Sequence, residues 1–293
     1  MMAPGGIVWL ASFPKSGNTW FRILLANLAM GERGPADINN LETSGGIASS
    51  RQEFEAETML DSGLLSHDDI DCLRPKVHEA IARDASDLRW IKVHDAFTKT
   101  KLGEPLLGRS LAQAAVYLVR DPRDVAVSLA HHNGTTVDEA IELINSPDGA
   151  ICGGHVGQAL QLRQRLTGWS GHVTSWLDHA DFAVHLLRYE DLVSAPVQYF
   201  SAALGATTGT APTEDIERAV RHADFSELQR QEGEKGFTER VSSSAPFFRA
   251  GRVGGWRTTL SNDQVIAIEQ RQGAVMARLG YEVLNLQSAA PHY

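Results

Sequence analysis

The chain has 293 residues, 43% of them hydrophobic and 22% charged, with a net charge of −9. So acidic a balance argues against a general nucleic-acid role, because binding a phosphate backbone wants a basic surface. A small anion can still be held where a few cations converge. Cys72 and Cys152 make neither a disulfide framework nor a metal spacing, so reduced thiols in a soluble globular protein are expected. The apolar run GIVWLASF has no basic segment before it and is too short to span a bilayer, so a cytoplasmic protein without a membrane partner is expected.

Bounded by glycine and proline, that same run predicts a buried parallel strand. A helix is predicted from Asn18 to Met30. Residues 31–88 are polar and mixed; NNLETSGGIASSRQ reads as loop, with helical pieces at Ser66–Cys72 and Lys76–Asp84. Further strands are predicted at RWIKVH (89–94), AAVYLVR (114–120) and FAVHLLR (182–188). Asp121 before Pro122 is a helix start. Other helices are predicted at Val137–Asn145, Val156–Leu166, Gly171–Asp181, 195–204, 213–222 and Asn262 to Leu279. Residues 224–262, rich in charge, glycine and serine, read as a mobile loop. Strands alternating with helices imply an α/β three-layer sandwich around a central parallel sheet, with ligands beyond the carboxyl ends of the strands. One domain over 1–293 is expected, with mobile acceptor and lid segments near 31–88 and 228–255.

Two strand ends carry the chemistry. In WLASFPKSGNTWFRILL, a loop holding Lys15, Ser16, Gly17 and Thr19 leads into a helix. Unpaired N–H groups at a helix start suit an anion, and Gly17 lets backbone approach closely. The loop is P-loop-like, yet Lys15 precedes Gly17, whereas the nucleotide-triphosphate loop places lysine after its last glycine. The second element, YLVRDPRDVAVS, puts Arg120 at a strand end and Ser128 about two helical turns later. A cation at each end would suit a ligand with two separate phosphate groups.

Together these segments resemble the sulfotransferases that use 3′-phosphoadenosine 5′-phosphosulfate (PAPS) and release 3′-phosphoadenosine 5′-phosphate (PAP). SFPKSGNTW is similar to that family's 5′-phosphosulfate loop, close to Tyr-Pro-Lys-Ser-Gly-Thr-Thr-Trp. YLVRDPRDVAVS is similar to its 3′-phosphate segment, and IKVHD to its Lys-x-His after a strand. RYEDL (188–192) and FFRAGRVGGWR (247–257) resemble two further segments, with weaker matches at GWSGHVTSW (168–176) and HADFSEL (222–228). All fall in the family's order over roughly residues 7–260.

The resemblance implies roles. Lys15 would contact the oxygen bridging sulfate and phosphate; Ser16, Gly17, Asn18 and Thr19 would hold the 5′-phosphate. Trp20, which reads equally well as a core aromatic, would stack near the adenine, with Tyr189 and Phe225. Arg120, Ser128, Arg249 and Gly251 would bind the 3′-phosphate. His94 would take the acceptor's proton, its ordinary pKa of about 6.5 suiting a base near neutrality. Lys92 reads either as a second cation on the transferred group or as a solvated strand-end lysine. No metal is required, and the adjacent His131 and His132 are not at ligand spacing. Asn18, Ala250, Gly255, Ala223 and Asp224 depart from the family pattern, which puts cofactor affinity in question more than reaction type. A small-molecule kinase with an unusual P-loop would need Mg²⁺ ligands that are not evident; a non-catalytic nucleotide-binding relative stays open. The acceptor is read as a small molecule or natural product carrying a hydroxyl or amine. Phe54, Met59, Phe97, His131, His132, Phe237, Phe247 and Phe248 are candidates to line its cavity. The family's dimerisation segment is not recognisable in RTTLSNDQVIAIEQ, so a homodimer is left open.

Overall fold

The computed structural model describes residues 6–41, 44–109, 112–153, 160–240, 246–249 and 251–284. The chain runs β1 (Gly6–Ser12), α1 (Asn18–Met30), β2 (Ser44–Ile47), α2 (Arg51–Thr58), α3 (His67–Arg83), β3 (Leu88–Val93) and β4 (Ala112–Val119). It continues through α4 (Pro122–Asn133), α5 (Val137–Asn145), β5 (Ala150–Ile151), β6 (Gln164–Arg165), α6 (Gly168–His179) and β7 (Ala183–Arg188). Five helices close the order: α7 (Tyr189–Ser194), α8 (Pro196–Thr207), α9 (Thr213–His222), α10 (Phe225–Lys235) and α11 (Asn262–Arg278). Among the described residues, no helix is long and apolar enough to cross a membrane.

Five strands form one parallel sheet in the order β2-β3-β1-β4-β7. β1 lies at its centre, covered on both faces, which explains its unbroken apolar run. Alternate residues serve opposite layers, as the strand period of two demands. Trp9 and Ala11 join the core beneath α3, α4, α6 and α11; Val8 and Leu10 join the core beneath α1, α8 and α9. Ala11 pairs with both Val93 and Tyr117, so β1, β3 and β4 end level. That register brings the residues following each strand to one edge of the sheet.

Four stretches differ from expectation. The pieces at Ser66–Cys72 and Lys76–Asp84 are one helix, α3, running through Pro75, anchored by Arg74, which is fully buried against Asp95 at 2.6 Å. Over 160–166 the expected Val156–Leu166 helix is absent. Leu162 N–H donates to the Ser49 carbonyl (2.8 Å) and Leu166 N–H to that of Gly149 (2.7 Å), so the backbone pairs with remote segments instead of its own turn. The remainder of that expected helix, 156–159, lies outside the described residues. Finally, α10 lies inside the stretch read as loop. Asp224 caps it, accepting from Ser226 N–H at 2.9 Å, and its buried Glu232 accepts from Phe247 N–H (2.7 Å) and Phe248 N–H (2.9 Å). Strand β2 likewise forms where loop was read.

Candidate active site

The loop from β1 to α1 turns through the left-handed region twice, with φ of 68° at Lys15 and 100° at Gly17. Gly17 meets a second constraint: an added Cβ would lie 2.6 Å from the Tyr189 ring. The turn leaves the first N–H groups of α1 directed outward from its N-terminus. Beside them the Ser16 hydroxyl is buried without a partner among the described residues. Asn18 behaves differently from the amide donor expected of it. Its Nδ2 donates to the Leu10 carbonyl (2.9 Å) and to Ser12 Oγ (3.2 Å), tying helix to strand, so only its backbone N–H is left to offer an anion.

Arg120 follows β4 and reaches across to this loop. It donates from Nη1 to the Lys15 carbonyl (3.3 Å) and from Nη2 to the Arg252 carbonyl (2.9 Å), and its guanidinium lies 4.5 Å over the Tyr189 ring. Its Nε is buried and has no partner among the described residues. Trp20 stands edge-on to Tyr189, centroids 6.2 Å apart, and donates its indole N–H to the Ala223 carbonyl at 3.0 Å. Gly251, at φ 55°, lies where a Cβ would come within 3.0 Å of the Phe225 ring. Trp20, Arg120, Tyr189, Phe225 and Gly251 therefore form one wall beside the loop. Ser128 is half-buried on α4, and Arg249 is exposed. Burial first, then Arg249, depresses the pKa of His131. Ala250 lies outside the described residues. At Gly255 the turn is held from α4: Asp124 accepts from Gly254 N–H (2.7 Å) and Trp256 N–H (2.9 Å).

His94 follows β3. Its Nδ1 lies 2.8 Å from the Ser12 carbonyl. A carbonyl only accepts, so this contact assigns the proton to Nδ1 and leaves Nε2 as the basic nitrogen. Behind it, Tyr117 donates to His172 Nδ1 (2.7 Å) and His172 Nε2 donates to the His94 carbonyl (3.0 Å), fixing the backbone. Burial, then Lys92, lowers the His94 pKa to about 3, so the imidazole is neutral. Burial, then Lys92, lowers Lys15 to about 7 despite the opposing pull of Glu239. The Lys15 ammonium lies 4.0 Å from the Phe247 centroid. Burial lowers Lys92 as well.

The sequence reading missed two charged groups here. Glu239 accepts from Thr19 Oγ1 (3.2 Å) and Lys92 Nζ (3.3 Å) on Oε2, and from Arg22 Nη1 (2.5 Å) on Oε1. Burial works to raise its pKa, but Lys92 and Arg22 prevail and hold it well below the carboxylate range. Arg22 had a signal, lying three residues past Thr19 on the same helix face; Glu239 had none in the local sequence.

Of the candidate acceptor residues, Phe237, Phe247 and Phe248 pack together with centroids 4.7–5.2 Å apart. His132 stands edge-on to Phe247 at 5.8 Å, its pKa lowered to about 4 by burial, then by Lys15 and Lys92. The other candidates lie elsewhere. Phe54 is buried in the core, Phe97 packs on Trp176 and Phe182, and Met59 is exposed.

The sulfotransferase domain family matches residues 6–280 of the chain. Cytosolic sulfotransferase 17 of Arabidopsis thaliana is 22% identical over 277 residues, covering 89% of this chain and 71% of the relative. A mouse sulfotransferase solved with PAP has a TM-score of 0.60 at 19% identity, covering 94% of this chain and 84% of its own. Retinol dehydratase, solved with androsterone and inactive cofactor PAP, has a TM-score of 0.59 at 20% identity, covering 98% and 82%. The two structures share the five-stranded α/β fold; the family match over nearly the whole chain assigns function, and the chain belongs to the sulfotransferase family.

Proposed function

We propose that this sulfotransferase moves the sulfuryl group of PAPS to a hydroxyl or amine of a soluble small-molecule or natural-product acceptor, in the cytoplasm, with His94 as base. The observation that carries the donor assignment is a pair of buried donors without partners among the described residues, Ser16 Oγ and Arg120 Nε, at two neighbouring strand ends. Other buried polar atoms without partners are scattered among the described residues, Arg74 Nε and Arg163 Nε for example; these two stand out by their place, at the ends of β1 and β4 where an open sheet takes its ligand. Their places fit a ligand with a phosphate at each end: Ser16 with the Thr19 hydroxyl and the N–H groups of Gly17, Asn18 and Thr19 for the 5′-phosphate, Arg120 with Ser128, Arg249 and Gly251 for the 3′-phosphate. Trp20, Tyr189 and Phe225 would flank the adenine between them.

PAPS supplies an activated sulfuryl group whose departure leaves negative charge on the bridging phosphate oxygen. Lys15 would hold that charge, and Lys92 the sulfuryl oxygens, as preorganised cations do at developing charge. In-line positioning does most of the remaining work. His94 enters with Nε2 unprotonated, because Nδ1 holds its proton against the Ser12 carbonyl. Anionic charge arriving beside it would raise its pKa from the depressed value of the ligand-free site, so it becomes a stronger base when the donor is bound. Phe247, packed on the buried Phe237 and Phe248 and lying beside Lys15 and His132, supports an acceptor with an apolar body. The A. thaliana relative is named a cytosolic enzyme, which supports the compartment.

The test pairs turnover with binding. With PAPS and a panel of phenols, alcohols and amines, His94→Ala is expected to lose turnover while PAP still raises its melting temperature. A ligand at a hundred times its Kd stabilises by about 2.7 kcal/mol. Wild-type turnover in His94→Ala removes the base assignment; a folded wild-type protein that PAP does not stabilise removes the donor assignment.

A further inference from the structure

Glu239 is the acidic group of a charged pair at the site, with Arg22, to which the donor scheme gives no task. Its two oxygens face different company. Oε1 meets Arg22, which the scheme does not use; Oε2 takes hydrogen bonds from Thr19 Oγ1 (3.2 Å) and Lys92 Nζ (3.3 Å), both assigned to the donor. A carboxylate oxygen and a phosphate or sulfuryl oxygen require the same hydrogens from those two groups. An arriving oxyanion would also be repelled by a carboxylate left in place.

We propose that Glu239 is a resident counter-anion: its Oε2 occupies the seat of the donor's oxyanion and leaves Thr19 and Lys92 when the donor binds, so donor affinity is set by this competition. The inference rests on the PAPS reading above. Exposure identifies the partner free to move. The Glu239 side chain is 30% exposed, against 12% for Arg22 and 13% for Lys92. The two cations are fixed in the wall of the site, and the carboxylate has solvent to withdraw into.

The opposite reading makes Glu239 a permanent brace that orients Lys92 and Thr19 for the donor. The two readings differ in sign. If the carboxylate holds the seat in about nine molecules of ten, removing it raises apparent affinity about tenfold; removing a brace lowers affinity. A third reading, that Glu239 repels the donor by charge alone, is separated by length, because aspartate keeps the charge and falls one methylene short of the seat.

The experiment is calorimetric titration of PAP into wild type, Glu239→Gln and Glu239→Asp, with thermal unfolding confirming that each is folded. The proposal expects both variants to bind PAP about tenfold tighter than wild type. Equal or weaker binding by Glu239→Gln overturns it in favour of the brace. Tighter binding by Glu239→Gln with wild-type affinity in Glu239→Asp overturns it in favour of charge alone. No binding by any of the three folded proteins overturns the PAPS reading, and the counter-anion with it.

Discussion

Two strand-to-helix corners lie side by side at the edge of this sheet, and they treat charge in opposite ways. After β4, the ionised groups that begin α4 are matched. Asp121 accepts from Arg123 N–H and pairs with the Arg123 guanidinium at 2.7 Å; Arg123 also meets Glu269 at 2.7 Å and lies 3.9 Å over Trp256. Asp124 holds the Gly254–Trp256 turn. After β1 the matching is incomplete: Ser16 Oγ is buried and unpaired among the described residues, and Lys15 has an aromatic ring beneath its ammonium and Lys92 and Arg120 as cationic neighbours that Glu239 offsets only in part. The topology is the same at both corners. An open parallel sheet offers an anion site at any such corner, and pairing decides which residues of each corner are left for a ligand: after β1 the loop itself, after β4 Arg120 ahead of the matched start of α4. The matched corner braces the frame, and Arg120 carries that rigidity to the Lys15 carbonyl.

The largest expected effect comes from breaking the brace. Arg123→Ala leaves Asp121 and Glu269 without their counter-ion, and removing one partner of a buried pair costs about 3–5 kcal/mol. Urea unfolding should show a loss of that order. A loss below about 1 kcal/mol would mean that the second corner is not what holds the frame.

Lys15→Ala should show the reverse pattern. Losing a preorganised charge-stabilising group costs about 10²–10³ in turnover, measured with PAPS and any acceptor the wild type accepts. Stability should hold or rise, because the substitution removes a partly buried cation that burial disfavours. A variant that unfolds more readily than wild type, at unchanged turnover, would reverse the roles given to the two corners.

Much of this frame was legible in the sequence. Compact apolar runs mark β1 and β4, because strands buried on both faces leave no polar side. Helix α5 has the predicted limits, Val137–Asn145, because Thr136 and Glu139 form a capping box that local sequence encodes. The helix expected at Val156–Leu166 failed over its described part because Ser49 and Gly149 accept its N–H groups, and a window of neighbours carries no record of such partners. The site divides along the same line. Lys15, His94 and Arg120 each follow a strand within a short motif, and the level ends of β1, β3 and β4 bring them together. Glu239 reaches Lys92 across 147 residues of chain, so no local pattern announced it. Asn18 was legible as a residue of the loop, but not as the tie to Leu10 that uses its amide.

The smallest expected effect tests whether the first corner is electrostatically unmatched. In the ligand-free protein, burial and Lys92 hold Lys15 near pH 7, and PAP requires its charged form. Below that pH the ammonium is already present, so Lys15 adds no pH dependence to binding. Above it the free protein loses the proton and must take one up to bind, so Kd should rise by up to about tenfold per pH unit, roughly 1.4 kcal/mol each. The window runs from about pH 7 to 9; below about pH 6 the ligand's own phosphates take up protons. Calorimetry in buffers of different ionisation heat reports the proton uptake directly. Lys15→Arg should flatten the profile, because a guanidinium stays charged throughout. The second corner contributes nothing here: burial works against the Arg123 charge, but Asp121 and Glu269 outweigh it and hold the guanidinium protonated. A flat wild-type profile would mean that Lys15 keeps its charge without a ligand, and the contrast between the corners would then rest on hydrogen bonding alone.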